Sequence, residues 1–220
     1  MKQSLIIVAL ILALIAALFL SANGLQREAE EEQAAVAPPA ELASLLLPEA
    51  IVLQPFSLTD HNGNPLGLEQ LKGQWTLLFF GYTHCPDVCP TTLGMLKGVA
   101  MRLAAEPQPE KTRFLFVSVD PKRDTTAHLA DYIDYFHKDF IAASGERSEI
   151  DNFTRQLGAI YLFDGDTEGD EYHVNHSASV ALIDPQGVWV ARINPPHTVN
   201  QLHTDYLQLR NYLKTTTHQE

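Results

Sequence analysis

One segment constrains the fold more than any other: an apolar run that leads through two cysteines into a helical pattern. Trp75–Tyr82 (WTLLFFGY) is such a run, as expected of a central strand that is covered on both faces. From Pro90 to Glu106, apolar side chains recur at helical spacing, and the proline suits a first helical turn. A second buried strand is predicted at Arg113–Val119. This order of strand, helix and strand indicates parallel pairing and an α/β fold.

The rest of the body continues this order and adds antiparallel strands. It is predicted to open with a short hairpin, FSLTDHNGNPLGL, and to contain a helix that begins near Asp124 or Thr125. A short strand FIAAS, a helix RSEIDNFTRQLG, a hairpin SVALIDPQGVWVARI and a final amphipathic helix TVNQLHTDYLQLRNYLK follow. We therefore predict a central mixed β-sheet flanked by helices, over a body of residues 53–215.

The first 52 residues are predicted to lie outside this body. Leu5–Leu20 is an unbroken apolar run, which would form a helix about 24 Å long. The residues on either side can lengthen this helix toward the roughly 30 Å thickness of the hydrocarbon core of a bilayer. We predict an uncleaved membrane anchor at residues 1–24, a flexible acidic tether with prolines at residues 25–52, and a tail at residues 216–220. A cleaved signal peptide is the alternative for the first segment.

The charges beside the apolar run predict its orientation. Lys2 precedes the run, and Arg27–Glu32 (REAEEE) follows it. Because the positive end of such a helix stays in the cytoplasm, we expect a single-pass protein of the inner membrane whose body faces the periplasm.

The overall charge excludes one class of partner. The chain has 15 basic and 27 acidic residues, for a formal net charge of -12. Nucleic acid favours a basic surface, so no nucleic-acid partner is predicted. The negative charge also argues against binding of the body to an anionic lipid surface, so the predicted anchor is the only membrane contact that we expect.

Cys85 and Cys89, the only cysteines of the chain, are separated by Pro86, Asp87 and Val88. A disulfide between them would close so small a loop that its stabilising effect is small, which favours a functional pair. At the entrance of a helix this spacing places both sulfurs on one side, and the helix N-terminus favours thiolate over thiol. At this point the two cysteines could be either a redox-active pair or two sulfur ligands of a metal ion. Inert buried thiols are the third interpretation.

Three motifs, GYTHCPDVCPTTL, FVSVDPKRDT and VNHSASVALIDPQG, occur here in an order that resembles the Sco/SenC family of copper-binding assembly factors. The resemblance extends from about Gln54 to Leu213 and implies a thioredoxin-like fold. It also implies that one copper ion is bound by Cys85, Cys89 and the matching histidine, His176. Two thiolates suit Cu(I), and an imidazole helps to retain Cu(II).

The resemblance implies a membrane-anchored copper chaperone or thiol-redox factor that assists assembly of the dinuclear copper centre of cytochrome c oxidase. The implied partners are the copper-bearing oxidase subunit and other periplasmic copper chaperones or thiol reductases. A metallochaperone is favoured over an enzyme, with thiol–disulfide reduction by Cys85 and Cys89 as an accompanying activity. The alternatives are an envelope thiol–disulfide oxidoreductase that does not need His176, a thiol peroxidase, and a copper sensor or buffer.

The sequence does not decide the roles of three residues near these motifs. His84 and His173 are each either an auxiliary metal ligand or an exposed loop histidine. Asn175 stands where the family commonly has an aspartate directly before the histidine. An aspartate could orient the ring or raise its basicity, so the uncharged amide bears on metal affinity and redox tuning.

Two further features belong to the predicted surroundings of the site. Asp120, in the family motif, either holds Arg123 or a backbone N–H near the site or serves as a turn residue. Phe163–Tyr172 (FDGDTEGDEY) superficially resembles a calcium loop, but its twelfth position is Asn175 rather than glutamate. We predict a solvated acidic loop that could help to recruit a basic partner surface.

Overall fold

Strands and helices alternate along the part of the chain that the structure describes. This computed structural model describes residues 19, 21, 38–106, 111–169, 171–196 and 198–217, of which residues 40–213 cluster as one unit. From Pro38 onward the helices are α1 (Ala40–Ala43), α2 (Leu68–Leu71), α3 (Val88–Ala104), α4 (Thr126–Phe136), α5 (Arg147–Gln156) and α6 (Val199–Thr217). The strands are β1 (Leu46–Val52), β2 (Leu58–Asp60), β3 (Pro65–Leu66), β4 (Trp75–Gly81), β5 (Thr112–Ser118), β6 (Ile141–Ser144), β7 (Tyr161–Asp164), β8 (His173–His176), β9 (Val180–Ile183) and β10 (Val188–Ile193).

The main sheet is mixed, which confirms the predicted architecture. Its strand order is β1-β10-β9-β4-β5-β6-β2-β3. The pairs β4–β5 and β5–β6 are parallel, and the pair β4–β9 is antiparallel. A separate two-stranded sheet is formed by β7 and β8.

Strand β4 is buried along its whole length, as its apolar sequence predicts. It lies between β5 and β9 and continues, through the cysteine loop, into helix α3. The predicted apolar stripe of α3 faces the core, where Leu93, Leu96, Val99 and Leu103 are buried. The carboxyl end of a central strand and the amino end of the next helix are therefore held together at one edge of the sheet.

Residues 46–52, which the sequence analysis assigned to the tether, form the edge strand β1. Leu46 pairs with Ala191, and Val52 pairs with Val188, with an irregular register between them. Most of this strand is exposed, so its sequence has no alternation of apolar and polar residues. Because β1 is an edge strand, it can contain Pro48 without loss of a ladder hydrogen bond inside the sheet.

The predicted membrane anchor, residues 1–24, lies outside the described residues except for Phe19 and Ser21. Among the helices in the described ranges, none is long and apolar enough to cross a bilayer.

Candidate metal centre

The cysteines lie where strand β4 passes into helix α3. Cys85 is in the loop after Gly81, and Cys89 is in the first turn of α3, which begins at Val88. Both thiols are free; Cys89 is fully buried, whereas Cys85 retains 9% of its accessible surface. The backbone N–H of Cys89 donates to Cys85 Sγ at 3.5 Å. The amino end of the helix thus faces the Cys85 sulfur, where it favours a thiolate.

Gly81 allows the Cys89 sulfur to reach this position. A Cβ atom at residue 81 would lie 2.5 Å from Cys89 Sγ and 2.8 Å from Phe116 Cε2. Only a residue without a side chain therefore fits at the end of β4. The sequence analysis did not single out Gly81, although a glycine that ends a buried apolar strand is a signal of close approach.

The hairpin of β7 and β8 brings His176 to the two sulfurs. His176 pairs with Tyr161 at the end of β8, and its Nε2 atom lies 3.2 Å from Cys89 Sγ. Its Nδ1 atom is 3.0 Å from the carbonyl oxygen of Ser177. Because that oxygen can only accept, Nδ1 carries the hydrogen and the Nε2 lone pair faces the sulfur.

Two aromatic rings hold the imidazole from its sides. The His176 ring makes an edge contact with Phe79, with 5.8 Å between the ring centroids, and with Tyr82 at 5.9 Å. Both aromatic residues are buried, so the imidazole has little freedom to turn away from the cysteines.

One ligand atom from each of Cys85, Cys89 and His176 lies within 4.8 Å of the other two. Cys85 and His176 border an open cleft of about 310 Å³, whose lining also includes Tyr82, Pro86, Asp87, Val88, His173, Val174 and Asn175. Two sulfurs and one imidazole nitrogen form a donor set suited to a soft or borderline metal ion such as copper. The cleft gives an ion, or a partner protein, access from solvent.

The two sulfurs differ in their affinity for a proton. The hydrogen bond from Cys89 lowers the pKa of the Cys85 thiol to about 3, against the opposing effect of burial, and the interaction with His176 adds to the lowering. Burial raises the pKa of the Cys89 thiol, and its hydrogen bond to Cys85 raises it further. Cys85 is therefore the thiolate of the pair, and Cys89 retains its proton.

A buried ion pair secures the hairpin that carries His176. Arg123 Nε donates to Asp120 Oδ2 at 2.5 Å, which is the first of the alternatives that the sequence left open for Asp120. The Tyr172 hydroxyl donates to Asp120 Oδ1 at 2.7 Å, and Arg123 Nη1 donates to the Tyr172 carbonyl at 2.9 Å. The Arg123 guanidinium also stacks on the Tyr172 ring at 3.5 Å. Because Tyr172 directly precedes β8, these contacts fix the start of the strand that ends at His176.

The remaining residues named from the sequence lie around this centre. His173 and Asn175 are exposed and alternate with Val174 and His176 along β8, and both border the same cleft as His176. His84 is half exposed and lies near Asp124 rather than with the sulfurs. The ring of His176 is oriented by the Ser177 carbonyl, a role that the resemblance would give to an aspartate at position 175.

In the acidic loop between β7 and β8, residues 165–169 and Glu171 are exposed, as predicted. Its backbone is held by Lys122, whose Nζ atom donates to the carbonyl oxygens of Thr167, Glu168 and Gly169 at 2.7–3.0 Å. These contacts join the loop to the segment that contains Arg123.

Comparisons with known proteins agree with this arrangement. A family model described as SCO1/SenC matches residues 46–211. A Stutzerimonas stutzeri protein, named as a candidate copper-binding protein, is 38% identical over 152 residues, which are 69% of this chain and 74% of that protein. The mitochondrial SCO2 homologue of Mus musculus is 37% identical over 134 residues, 61% of this chain. The chain spans about half the length, 52%, of that mitochondrial relative.

Solved structures show the same fold. The crystal structure of Arabidopsis thaliana ScoI with copper bound matches with a TM-score of 0.68 and 30% identity, over 73% of this chain and 98% of that one. BsSco, described as a member of the Sco family of cytochrome c oxidase assembly proteins, matches with a TM-score of 0.59 and 24% identity, over 76% of this chain and 95% of that one. These likenesses, together with the mixed sheet, confirm the thioredoxin-like α/β fold.

Proposed function

Because this chain belongs to the SCO1/SenC family, we propose that it binds one copper ion through Cys85, Cys89 and His176 and assists assembly of the copper centre of cytochrome c oxidase. The observation that carries the proposal is the convergence of two sulfurs and one imidazole nitrogen within 4.8 Å. Two elements that are distant in sequence supply these atoms, and buried contacts hold both. The copper-bound ScoI relative supports copper as the ion.

The protonation of the site suits both oxidation states of copper. The Cys85 thiolate is ready to bind a cation, and Cys89 releases its proton when the metal binds. Cu(I) is held by the two sulfurs, and the neutral Nε2 atom of His176 adds the nitrogen donor that Cu(II) favours.

The same residues can reduce a disulfide in the target, which would prepare its cysteines to receive copper. The Cys85 thiolate attacks one target sulfur, so the target disulfide breaks, a mixed disulfide forms and one target thiolate leaves. Cys89 then loses its proton and attacks Cys85 Sγ, which releases the second target thiolate, and this leaving thiolate takes up the proton. The target gains two electrons, and the chain ends with a Cys85–Cys89 disulfide that an external thiol reductase must reduce again.

The proposal includes the cellular location. Residues 1–24 anchor the chain in the inner membrane, and residues 25–39 link this anchor to the folded body in the periplasm. This part of the proposal rests on the apolar run and on the flanking charges of Lys2 and Arg27–Glu32. The partner is the copper-bearing subunit of the oxidase.

A copper titration of the purified full chain tests the site. We expect one Cu²⁺ per chain at this site, reported by an absorption band from sulfur-to-copper charge transfer. Cys85→Ser should abolish the band, and His176→Ala should weaken Cu²⁺ binding at least about tenfold, since even residues behind the ligands contribute that much. His137→Ala, at the carboxyl end of α4 and outside the lining of the cleft, is the control and should bind as the parent does. An unchanged band and affinity in either site variant would refute the assignment.

Loss of the chain from its own cell tests the role in oxidase assembly. We expect an oxidase that lacks its dinuclear copper centre, with activity restored by the parent gene and not by the Cys85→Ser variant. Restoration by His176→Ala would instead favour the thiol–disulfide oxidoreductase alternative.

A further inference from the structure

A second cluster of metal-ligating side chains lies apart from the three residues of the copper site. One imidazole nitrogen from each of His84 and His128 and one carboxylate oxygen of Asp124 lie within 4.8 Å of one another. The carboxylate of Asp124 is completely buried, whereas 47% of the His84 side chain is exposed. His128 is also exposed. The cluster is thus a buried anion with two solvent-facing imidazoles.

Two parts of the fold position these residues, the cysteine loop and the start of α4. His84 belongs to the cysteine loop, and Asp124 directly precedes Thr125, the N-cap residue of α4. His128 is in the first turn of α4, where its backbone N–H donates to Thr125 Oγ1 at 3.3 Å. The rings of His84 and His128 face each other with 5.5 Å between their centroids and a tilt of 41°.

Hydrogen bonds behind the cluster determine which His84 nitrogen is available. Thr83 Oγ1 donates to Asp124 Oδ1 at 2.5 Å, and His84 Nδ1 lies 3.1 Å from the same hydroxyl oxygen. Because the single hydroxyl hydrogen is given to the carboxylate, the oxygen accepts from Nδ1–H. The Nε2 atom of His84 is left with a lone pair. Metal-binding histidines are commonly oriented by such a chain of contacts to a carboxylate.

The Asp124 carboxylate already has structural partners. Its Oδ2 atom accepts from the Thr83 backbone N–H at 2.9 Å and from the Ser118 hydroxyl at 2.5 Å. Its Oδ1 atom accepts from Thr83 and lies 3.8 Å from His84 Nδ1, so it has capacity for one more interaction. The carboxylate is therefore a fixed negative charge, around which the two imidazoles can rotate.

We propose that His84, His128 and Asp124 form a second metal site, which takes Cu²⁺. Two imidazoles and a carboxylate are nitrogen and oxygen donors, which among divalent first-row ions bind Cu²⁺ most tightly. Bonds of about 2.0–2.1 Å to a metal require the nitrogens to approach more closely than they do here. The exposure of both rings allows this approach by side-chain rotation alone. The site has no sulfur donor, which distinguishes it chemically from the thiolate pair that begins one residue after His84.

The site can be isolated in the full chain, independently of the proposed function. The background variant carries Cys85→Ser, Cys89→Ser and His176→Ala, so the thiolate site is absent whether or not it binds copper. Titration with Cu²⁺ alone, followed by electron paramagnetic resonance, should give one bound ion per chain with nitrogen hyperfine structure and no thiolate charge-transfer band. Adding His84→Ala or His128→Ala should each weaken binding at least about tenfold. The control is His137→Ala, another histidine beside an aspartate, with 3.9 Å between His137 Nδ1 and Asp139 Oδ2.

Both histidine variants keep Asp124 and its structural hydrogen bonds, so they are expected to fold. Circular dichroism and the melting temperature without metal establish this, and Cu²⁺ should raise the melting temperature of the background variant more than that of either histidine variant. Tight Cu²⁺ binding that survives both His84→Ala and His128→Ala, or the absence of a bound ion in the background variant, would overturn the proposal.

Discussion

Cys89 Sγ and His176 Nε2 lie 3.2 Å apart, although 87 positions separate the two residues in the sequence. The sulfur is placed by the first turn of α3, and the imidazole by the end of β8. A bond between these two atoms and one ion would therefore connect the main sheet to the two-stranded hairpin. Metal binding should consequently stabilise the hairpin as well as the cysteine loop.

The first prediction concerns the reactivity of the reduced, metal-free chain toward iodoacetamide. The lowered pKa of Cys85, about 3, keeps its thiolate at pH values at which an ordinary cysteine, with a pKa near 8.5, is protonated. We expect the labelling rate of Cys85 to remain nearly constant from pH 8 to pH 5 and to fall only as the pH approaches about 3. Labelled peptides identify the modified residue by mass spectrometry.

The causes of this shift can be separated by variants. The hydrogen bond from Cys89 contributes most to the lowering of this pKa, and the interaction with His176 contributes less. Cys89→Ala should therefore move the labelling profile further toward higher pH than His176→Ala does. In the Cys85→Ser variant the buried Cys89 should react slowly at every pH below 8. A Cys85 rate that falls tenfold per pH unit below pH 8 in the parent would contradict the prediction.

The same shifts fix the sign of the pH dependence of stability. Between about pH 3 and pH 8.5 the unfolded chain holds a proton on Cys85 that the folded chain has lost, so this residue makes the free energy of unfolding rise with pH. Cys89 has the opposite effect, because its raised pKa stabilises the fold below pH 8.5 and this contribution is lost at higher pH. Urea denaturation of the parent and of Cys85→Ser at pH 5 and pH 8 should give a smaller rise for the variant.

Gly81→Ala tests the close approach between the end of β4 and the Cys89 sulfur. The added Cβ would lie 2.5 Å from Cys89 Sγ, so the sulfur or the strand must move. We expect a loss of about 1–3 kcal/mol in the free energy of unfolding, which is typical of overpacking, together with weaker copper binding. Gly94→Ala is the control, because no atom lies within 4 Å of its added Cβ and alanine favours the helix. Equal stability and copper affinity in Gly81→Ala and the parent would show that this packing is unimportant.

Removal of the Asp120 carboxylate should loosen the hairpin that carries His176. The side chains of Asp120 and Arg123 are 0% and 6% exposed, and breaking such a buried pair from one side costs about 3–5 kcal/mol. At about 2–4 °C per kcal/mol, Asp120→Ala should lower the melting temperature by roughly 6–20 °C. The exposed pair of Lys72 and Glu69 is the control, since Glu69→Ala should cost at most about 1 kcal/mol.

A double variant distinguishes the ion pair from general packing. If the cost arises from a buried guanidinium that has lost its carboxylate, Asp120→Ala with Arg123→Met should be more stable than Asp120→Ala alone. Additive losses in the double variant would argue that the two side chains act independently.

The sequence was sufficient for those parts of the fold in which burial leaves a clear pattern. Strand β4 is buried at every residue, and its apolar run predicts it directly. The hairpin of β7 and β8 was not predicted, because its strands are short and the exposed residues of its connecting loop resemble a solvated segment. His176 was named from the family resemblance, whereas its position at the end of a strand depends on that hairpin.

Contacts between distant residues were the hardest to foresee. His84 was left as either an auxiliary ligand or an exposed loop histidine, and His128 was not singled out, because only the packing of α4 beside the cysteine loop brings their rings to 5.5 Å. The role of Gly81 likewise depends on where a sulfur from the next helix lies. Such relationships are set by tertiary packing, which a local pattern of residue types does not encode.

Truncation at the amino end tests the boundary at which the structure and the sequence analysis differ. Strand β1 pairs with β10 through Leu46, Ile51 and Val52, although the sequence assigned these residues to the tether. At about 0.2–1 kcal/mol for each cross-strand pair, a body that begins at residue 53 should be about 1–3 kcal/mol less stable than one that begins at residue 45. Leu53, which is buried, is present in both. Urea denaturation of the two bodies measures the difference, and a body that begins at residue 40 shows whether α1 adds to it. Equal stability of the bodies that begin at residues 45 and 53 would mean that β1 contributes no net stability and that residues 46–52 act as part of the tether.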